Sequence, residues 1–189
     1  MEPLSFNPAY RRATIREFLN MELGDAKAEL VDGIILMMAF GSARHSAIAV
    51  NLSGALMARL RGSGCRPYGS DLAVRTGKET IRFPDVSVYC RDDVTATGNA
   101  KLLGVPRVVF EVLSPSTASN DQITKLAEYR RLPGLKAVVF IDPENERARI
   151  IESAVEREAA WLPVGSDLDL PMLGISLPHS EVFESSLAA

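Results

Sequence analysis

Val108-Val109-Phe110-Glu111-Val112-Leu113, the body of an extended run that starts at Arg107, is a series of β-branched and large apolar residues with one carboxylate set into it. No polar alternation interrupts it, so it reads as a strand buried on both faces. Working outward, the spacing predicts a helix from about Ser119 to Arg131, stopped by Pro133-Gly134. Extended runs are expected at Leu72 to Arg75, Thr80 to Tyr89, Ala137 to Ile141, Ala148 to Ile151 and around Ala160 to Val164, before an irregular tail carrying Pro171 and Pro178. Towards the N-terminus, Ser42 caps a helix to about Arg61, with Ile48, Leu52, Leu56 and Leu60 on one face. Ala28 to Val31 and Ile34 to Met38 flank Asp32-Gly33, the pair that favours a two-residue hairpin turn. Thr14 with Glu17 three residues on has capping-box form and opens a short helix through about Glu22. Helices and strands interleave without strict βαβ alternation. The fold class expected is therefore mixed α/β (α+β): a central mixed β-sheet flanked by helices, with an N-terminal hairpin.

The 189 residues are 47% hydrophobic and 24% charged, with 13 Gly and 11 Pro scattered as turn punctuation, so a single domain spanning 1–189 is expected. The longest apolar run, Ile34 to Phe40, is far short of a membrane span, and the first residues lack signal-peptide order. That reading is of a cytoplasmic protein with no membrane partner. Cys65 and Cys90 form no Cys-x-x-Cys and read as separate buried thiols. A net charge of -3 and 6% aromatics give no global footprint for nucleic acid.

Glu111 carries the chemical question. An ionised carboxylate in an apolar strand needs a cation or donors, supplied by an ion pair with Lys or Arg or by a metal. Asp85 follows Pro84 inside Ile81 to Val88, where strand regularity breaks at a residue that cannot donate to the ladder. Asp121, Lys125 and Tyr129 stand at i, i+4 and i+8 of the next helix, which can bring Lys125 back towards Glu111. Two acids on different strands can hold Mg²⁺ or Mn²⁺, and a lysine nearby can orient or deprotonate an attacking water.

Pro84-Asp85, Glu111 to Thr117, then Asp121, Lys125 and Tyr129, preceded by Glu29 to Gly33 and by His45 at the head of a helix, form an ordered set that resembles the Uma-type restriction-endonuclease family, within the PD-(D/E)xK nuclease superfamily. The match runs from about Glu29 to Pro143. The resemblance implies a restriction-endonuclease-like fold, with Asp85, Glu111 and the Val112 carbonyl as metal ligands. Leu113 stands where the superfamily places the lysine of its Glu-x-Lys, so Lys125 has to replace it from the helix. Glu29 resembles the family's early acid; the alternative is a charged residue on the outside of the hairpin. His45 either reaches an active-site phosphate or water, or only serves the helix cap.

The first function expected is a metal-dependent endonuclease cutting DNA, with Arg59, Arg61, Arg75 and Arg82 as backbone phosphate contacts and a homodimer to cut two strands. The competing expectation is a non-catalytic nucleic-acid-binding or assembly module that keeps the fold and holds Glu111 in a stable ion pair.

Overall fold

A computed structural model describes residues 12–24, 26–39, 41–114, 119–154 and 159–184, with the backbone alone at 119–121. Elements follow in the order α1 (Ile15–Leu19), β1 (Ala28–Val31), β2 (Ile34–Met37), α2 (Ala43–Arg59), β3 (Cys65–Gly69), β4 (Val74–Gly77), β5 (Thr80–Arg82), β6 (Val86–Cys90), β7 (Val108–Val112), α3 (Ser119–Arg130), β8 (Ala137–Asp142), β9 (Arg147–Glu152), β10 (Leu168–Leu170), β11 (Ile175–Leu177) and α4 (His179–Phe183).

The local signals near the N-terminus form as expected. Thr14 and Glu17 exchange both capping-box hydrogen bonds, although α1 stops at Leu19, short of Glu22. Asp32 and Gly33 both take positive φ, 47° and 80°, the geometry that lets a two-residue turn follow the twist of its strands. Ser42 caps α2 through the His45 N–H.

Two of the three sheets position the site. The smaller has the order β2-β1-β5-β4, and the larger has β3-β6-β7-β8-β9. In the larger sheet only β7 and β8 run parallel, and α3 is the crossover that joins them. Val108, Phe110 and Val112 face α2, where Ile48, Leu52, Leu56 and Leu60 form a fully apolar stripe. Val109 faces the opposite way, with Tyr129, Val138 and Phe140. Period-two alternation therefore sends Glu111 to the α3 side. Both faces of β7 are buried, as its composition requires.

Several expectations are corrected. The single strand from Thr80 to Tyr89 divides at Phe83-Pro84-Asp85 into β5 and β6, one in each sheet, because Pro84 cannot donate to either ladder. No strand forms around Ala160 to Val164; Leu162 N–H makes a lone ladder-like bond to the Ala148 carbonyl. The Pro-rich tail is ordered instead as a β10–β11 hairpin and α4, whose Leu168, Leu170, Leu177, Val182 and Phe183 bury against α2. Asn51 of α2 fastens this tail by donating to the Val182 and Glu184 carbonyls.

Cys65 and Cys90 are not separate thiols. They stand opposite each other on antiparallel β3 and β6 and form a disulfide closing a separation of 25 residues. By loop-closure entropy such a link contributes about 3 kcal/mol. Reduction should therefore lower the melting temperature by about 6–12 °C for a chain of this size. Thermal melts with and without reductant check this, with Cys65→Ser as the variant whose melting no longer responds. Equal melting of the native chain in both conditions would show that the strands hold without the bond.

Candidate active site

The break between β5 and β6 places Asp85. Continuing the β6–β7 register from Val86↔Phe110 would set Pro84 against Val112. Proline has no N–H to offer there, and the Asp85 side chain takes the place of a ladder partner: Val112 N–H donates to Asp85 Oδ2 at 2.7 Å. The other oxygen, Oδ1, faces His45 Nε2 at 3.3 Å. The hydrogen bond to Asp85 raises the His45 imidazole above its ordinary range, against the effect of burial, and the Val112 main chain and Glu111 raise it further. His45 thus stands against the residues that the sequence marks as metal ligands, beyond any capping role.

Glu111 projects from β7 towards α3. Tyr129 donates its hydroxyl to Glu111 Oε1 at 2.7 Å, and Lys125 Nζ lies 3.5 Å from Oε2. The same Nζ is 3.2 Å from Glu29 Oε1 on β1. One helical turn separates Lys125 from Tyr129, so a single face of α3 supplies both groups. Glu29, Glu111 and Lys125 are all buried. Of the outside-facing alternative for Glu29, nothing remains. Asp121 lies outside the described side chains, and Pro115, Ser116 and Thr117 lie outside the described residues.

Arg82 is also brought here, in a role its sequence did not suggest. It is only 2% exposed and donates from Nη1 to Glu29 at 2.7 Å, and from Nε and Nη2 to the two oxygens of Glu128. Burial opposes its charge, but Glu128 and Glu29 together outweigh that and hold it protonated. Burial likewise works against the Glu128 charge, yet bonds from Arg82 and Thr76 keep that carboxyl below its usual range. Arg59 pairs with Glu181, and Arg75 donates to the Gly77 and Lys78 carbonyls. Neither these two nor Arg61 lines the cleft onto which the carboxylates open.

That cleft, about 840 Å³, has Glu29, Arg82, Asp85, Glu111, Val112 and Lys125 on its polar side. Among the described residues Glu29, Glu111 and Glu128 pair with Arg82 and Lys125, and Asp85 with His45, so these groups carry surplus negative charge when all four carboxyls are ionised. Burial is the main cause that pushes the Glu111 carboxyl up to about 7, with Asp85 and Glu29 adding to the rise against Lys125 and Tyr129. Carboxylate oxygens and a main-chain carbonyl are the hard donors that Mg²⁺ or Mn²⁺ takes, and a dication would offset the surplus. Among the described residues no three His, Cys, Asp or Glu side chains converge as a ready cluster.

The Glu111 shift has a measurable sign. A carboxyl that holds its proton more tightly when folded stabilises the fold below its ordinary value of 4.5, and that contribution is lost as pH rises to about 7. Without divalent metal, the native chain should therefore lose melting temperature relative to Glu111→Gln between about pH 5 and 7, with the gap constant above. Thermal melts across pH read this; parallel profiles would show that Lys125 keeps Glu111 ionised throughout.

Comparison with known proteins shows the family and the fold. Residues 15–181 match the Uma2 family, described as "Putative restriction endonuclease". An uncharacterized protein of Synechocystis, slr1290, is 35% identical over 162 residues, covering 83% of each chain. A second from the same organism, sll1609, is 28% identical over 151 residues, covering 79% of this chain and 84% of its own. A crystal structure described as a putative nuclease from Anabaena variabilis superposes with a TM-score of 0.77 at 18% identity, over 90% of this chain and 97% of that one. The fold is thus restriction-endonuclease-like, as the ordered motifs implied. With most of its length matched and a relative above 30% identity, the chain belongs to the Uma2 restriction-endonuclease family.

Proposed function

We propose that the chain is a metal-dependent endodeoxyribonuclease that hydrolyses DNA phosphodiester bonds. The observation that carries this reading is the meeting of Glu29, Glu111 and Lys125, from β1, β7 and α3, beside Asp85 of the β5–β6 link in one open cleft. Asp85, Glu111 and the Val112 carbonyl would hold Mg²⁺ or Mn²⁺, which supplies Lewis-acid activation of the phosphate and its attacking water. Lys125, fixed between two carboxylates, orients that water and offers its charge to the phosphate oxygens. Glu29 holds Lys125 in place, and Arg82 holds Glu29. Tyr129 fixes the rotamer of Glu111, leaving Oε2 towards Lys125 and the cleft.

Among the described residues no helix is long and apolar enough to cross a membrane. With a DNA substrate, the working compartment proposed is the cytoplasm, where thiol pools act against the Cys65–Cys90 bond. Cutting both strands of a duplex would call for a two-fold dimer.

The direct test is thermal melting in Mn²⁺ against chelator, with cleavage of labelled duplex, single-stranded and branched DNA run alongside. At a hundredfold excess over its dissociation constant, a native-state ligand adds about 2.7 kcal/mol, so a rise of several degrees is expected. The Lys125 pairing with Glu111 and Glu29 also favours a second reading, the non-catalytic module with an internally balanced cluster. That module predicts no response to Mn²⁺ and no cleavage.

A further inference from the structure

The cleft has an apolar lining that the hydrolytic chemistry does not use. Phe18, Met21, Leu23, Met37 and Phe83 line the same space as the carboxylates, and Leu36, opposite Glu29 in the β1–β2 register, lines it from the carboxylate side. Leu36 and Met37 are each 46% exposed, on a strand at the edge of the smaller sheet. Phe83 is half-buried, directly precedes Pro84-Asp85, and is braced by the Phe18 ring with centroids 6.2 Å apart. A nucleotide whose phosphate sits at Asp85 and Glu111 therefore has an apolar surface within the same cleft for its base.

The cations of the cleft point the same way. Among the described residues its lysines and arginines are Lys27, Arg82, Lys101 and Lys125, and all four are engaged. Lys27 meets Ser70 and Asp71, Lys101 donates to the Leu19 carbonyl, and Arg82 and Lys125 are buried in the carboxylate cluster. Apart from Lys125, held between two carboxylates at the scissile phosphate, only exposed Lys27 and Lys101 among these four can turn to further phosphates. Duplex binding draws most of its affinity from many such contacts, whereas single strands also bind through base contact with aromatic and apolar faces.

Building on the nuclease reading, we propose that the cleft takes DNA with unpaired bases, seating the base beside the scissile phosphate against the apolar lining that Phe83, Met37 and Leu36 supply. The substrate class is single-stranded, flapped or frayed DNA, and one copy of the chain suffices to cut it. Two phosphate-facing lysines limit the salt dependence to a slope of about -1.4 in log K against log salt. The double variant Leu36→Ser/Met37→Ser alters exposed side chains that take part in none of the ion pairs of the carboxylate cluster, so its fold and its Mn²⁺ melting shift should persist.

The test uses a single strand carrying 2-aminopurine beside the cleaved linkage, and the matching duplex, with native and doubly substituted full-length protein in Mn²⁺. Expected are a KM for the single strand at least about tenfold below that for duplex, a change in 2-aminopurine emission on binding, and a shallow salt slope. The double variant should raise the single-strand KM about tenfold with kcat nearly unchanged, the pattern of lost uniform binding. Preference for duplex, a steep salt slope, or an unaltered KM in the double variant overturns the proposal while a normal Mn²⁺ shift leaves the nuclease reading standing. A native chain with neither an Mn²⁺ shift nor cleavage overturns both.

Discussion

Asp85→Ala should abolish both the Mn²⁺-induced rise in melting temperature and the cleavage of DNA, lowering the rate by about a thousandfold or more. A bound dication contributes several kcal/mol to stabilising charge on a phosphate, and each ~1.4 kcal/mol lost is a tenfold loss in rate. The variant should remain folded. Asp85 is partly exposed, and what its carboxylate supports in the fold is one main-chain donor, Val112 N–H, and the imidazole of His45. Losing a hydrogen-bond partner at such a position costs about 1–2 kcal/mol, well inside the margin of a domain of this size. Asp85→Asn separates the two effects, because its amide oxygen can still accept from Val112 N–H while the charge that attracts the metal is gone. The Asn variant is thus expected to melt like the native protein in chelator and to ignore Mn²⁺. Cleavage by either variant at the native rate would remove Asp85 from the metal site and with it the proposed mechanism.

How far the sequence reaches this site depends on the range of each interaction. The Thr14–Glu17 box, the Asp32-Gly33 turn and the Ser42 cap are decided within a few residues, and all three form where their patterns place them. Glu111 is legible because an acid in an apolar strand is conspicuous, and Lys125 and Tyr129 because helical spacing stacks them on one face. Chain-distant pairing is where legibility ends. Cys65 meets Cys90 through the β3–β6 register, which no property of either residue announces. Arg82 meets Glu128 across 46 positions, so an isolated basic residue in a strand looked like a phosphate contact. The tail misleads for another reason: β10 and β11 have only 3 residues each, too short for periodicity to rise above the prolines around them.

The pairing of Arg82 also sets the largest expected stability change. Arg82→Ala should destabilise the chain by about 3–5 kcal/mol, because it leaves the buried Glu29 and the half-buried Glu128 without their shared cation. For a chain of this length that is a fall of roughly 6–20 °C in melting temperature. Arg82→Lys should recover only part of it. An ammonium can reach one carboxylate, whereas the guanidinium makes a two-pronged bond to Glu128 and still reaches Glu29 from a third nitrogen. Any loss of cleavage in Arg82→Ala at temperatures where it remains folded is expected in kcat, since Glu29 then no longer holds Lys125 towards the reacting water. A phosphate-binding arginine would give the opposite pattern, with melting unchanged, KM raised and the salt slope reduced by about one contact. Melting curves and the kcat against KM division together decide between the two, and an unshifted melting temperature in Arg82→Ala would overturn the positioning role assigned to it.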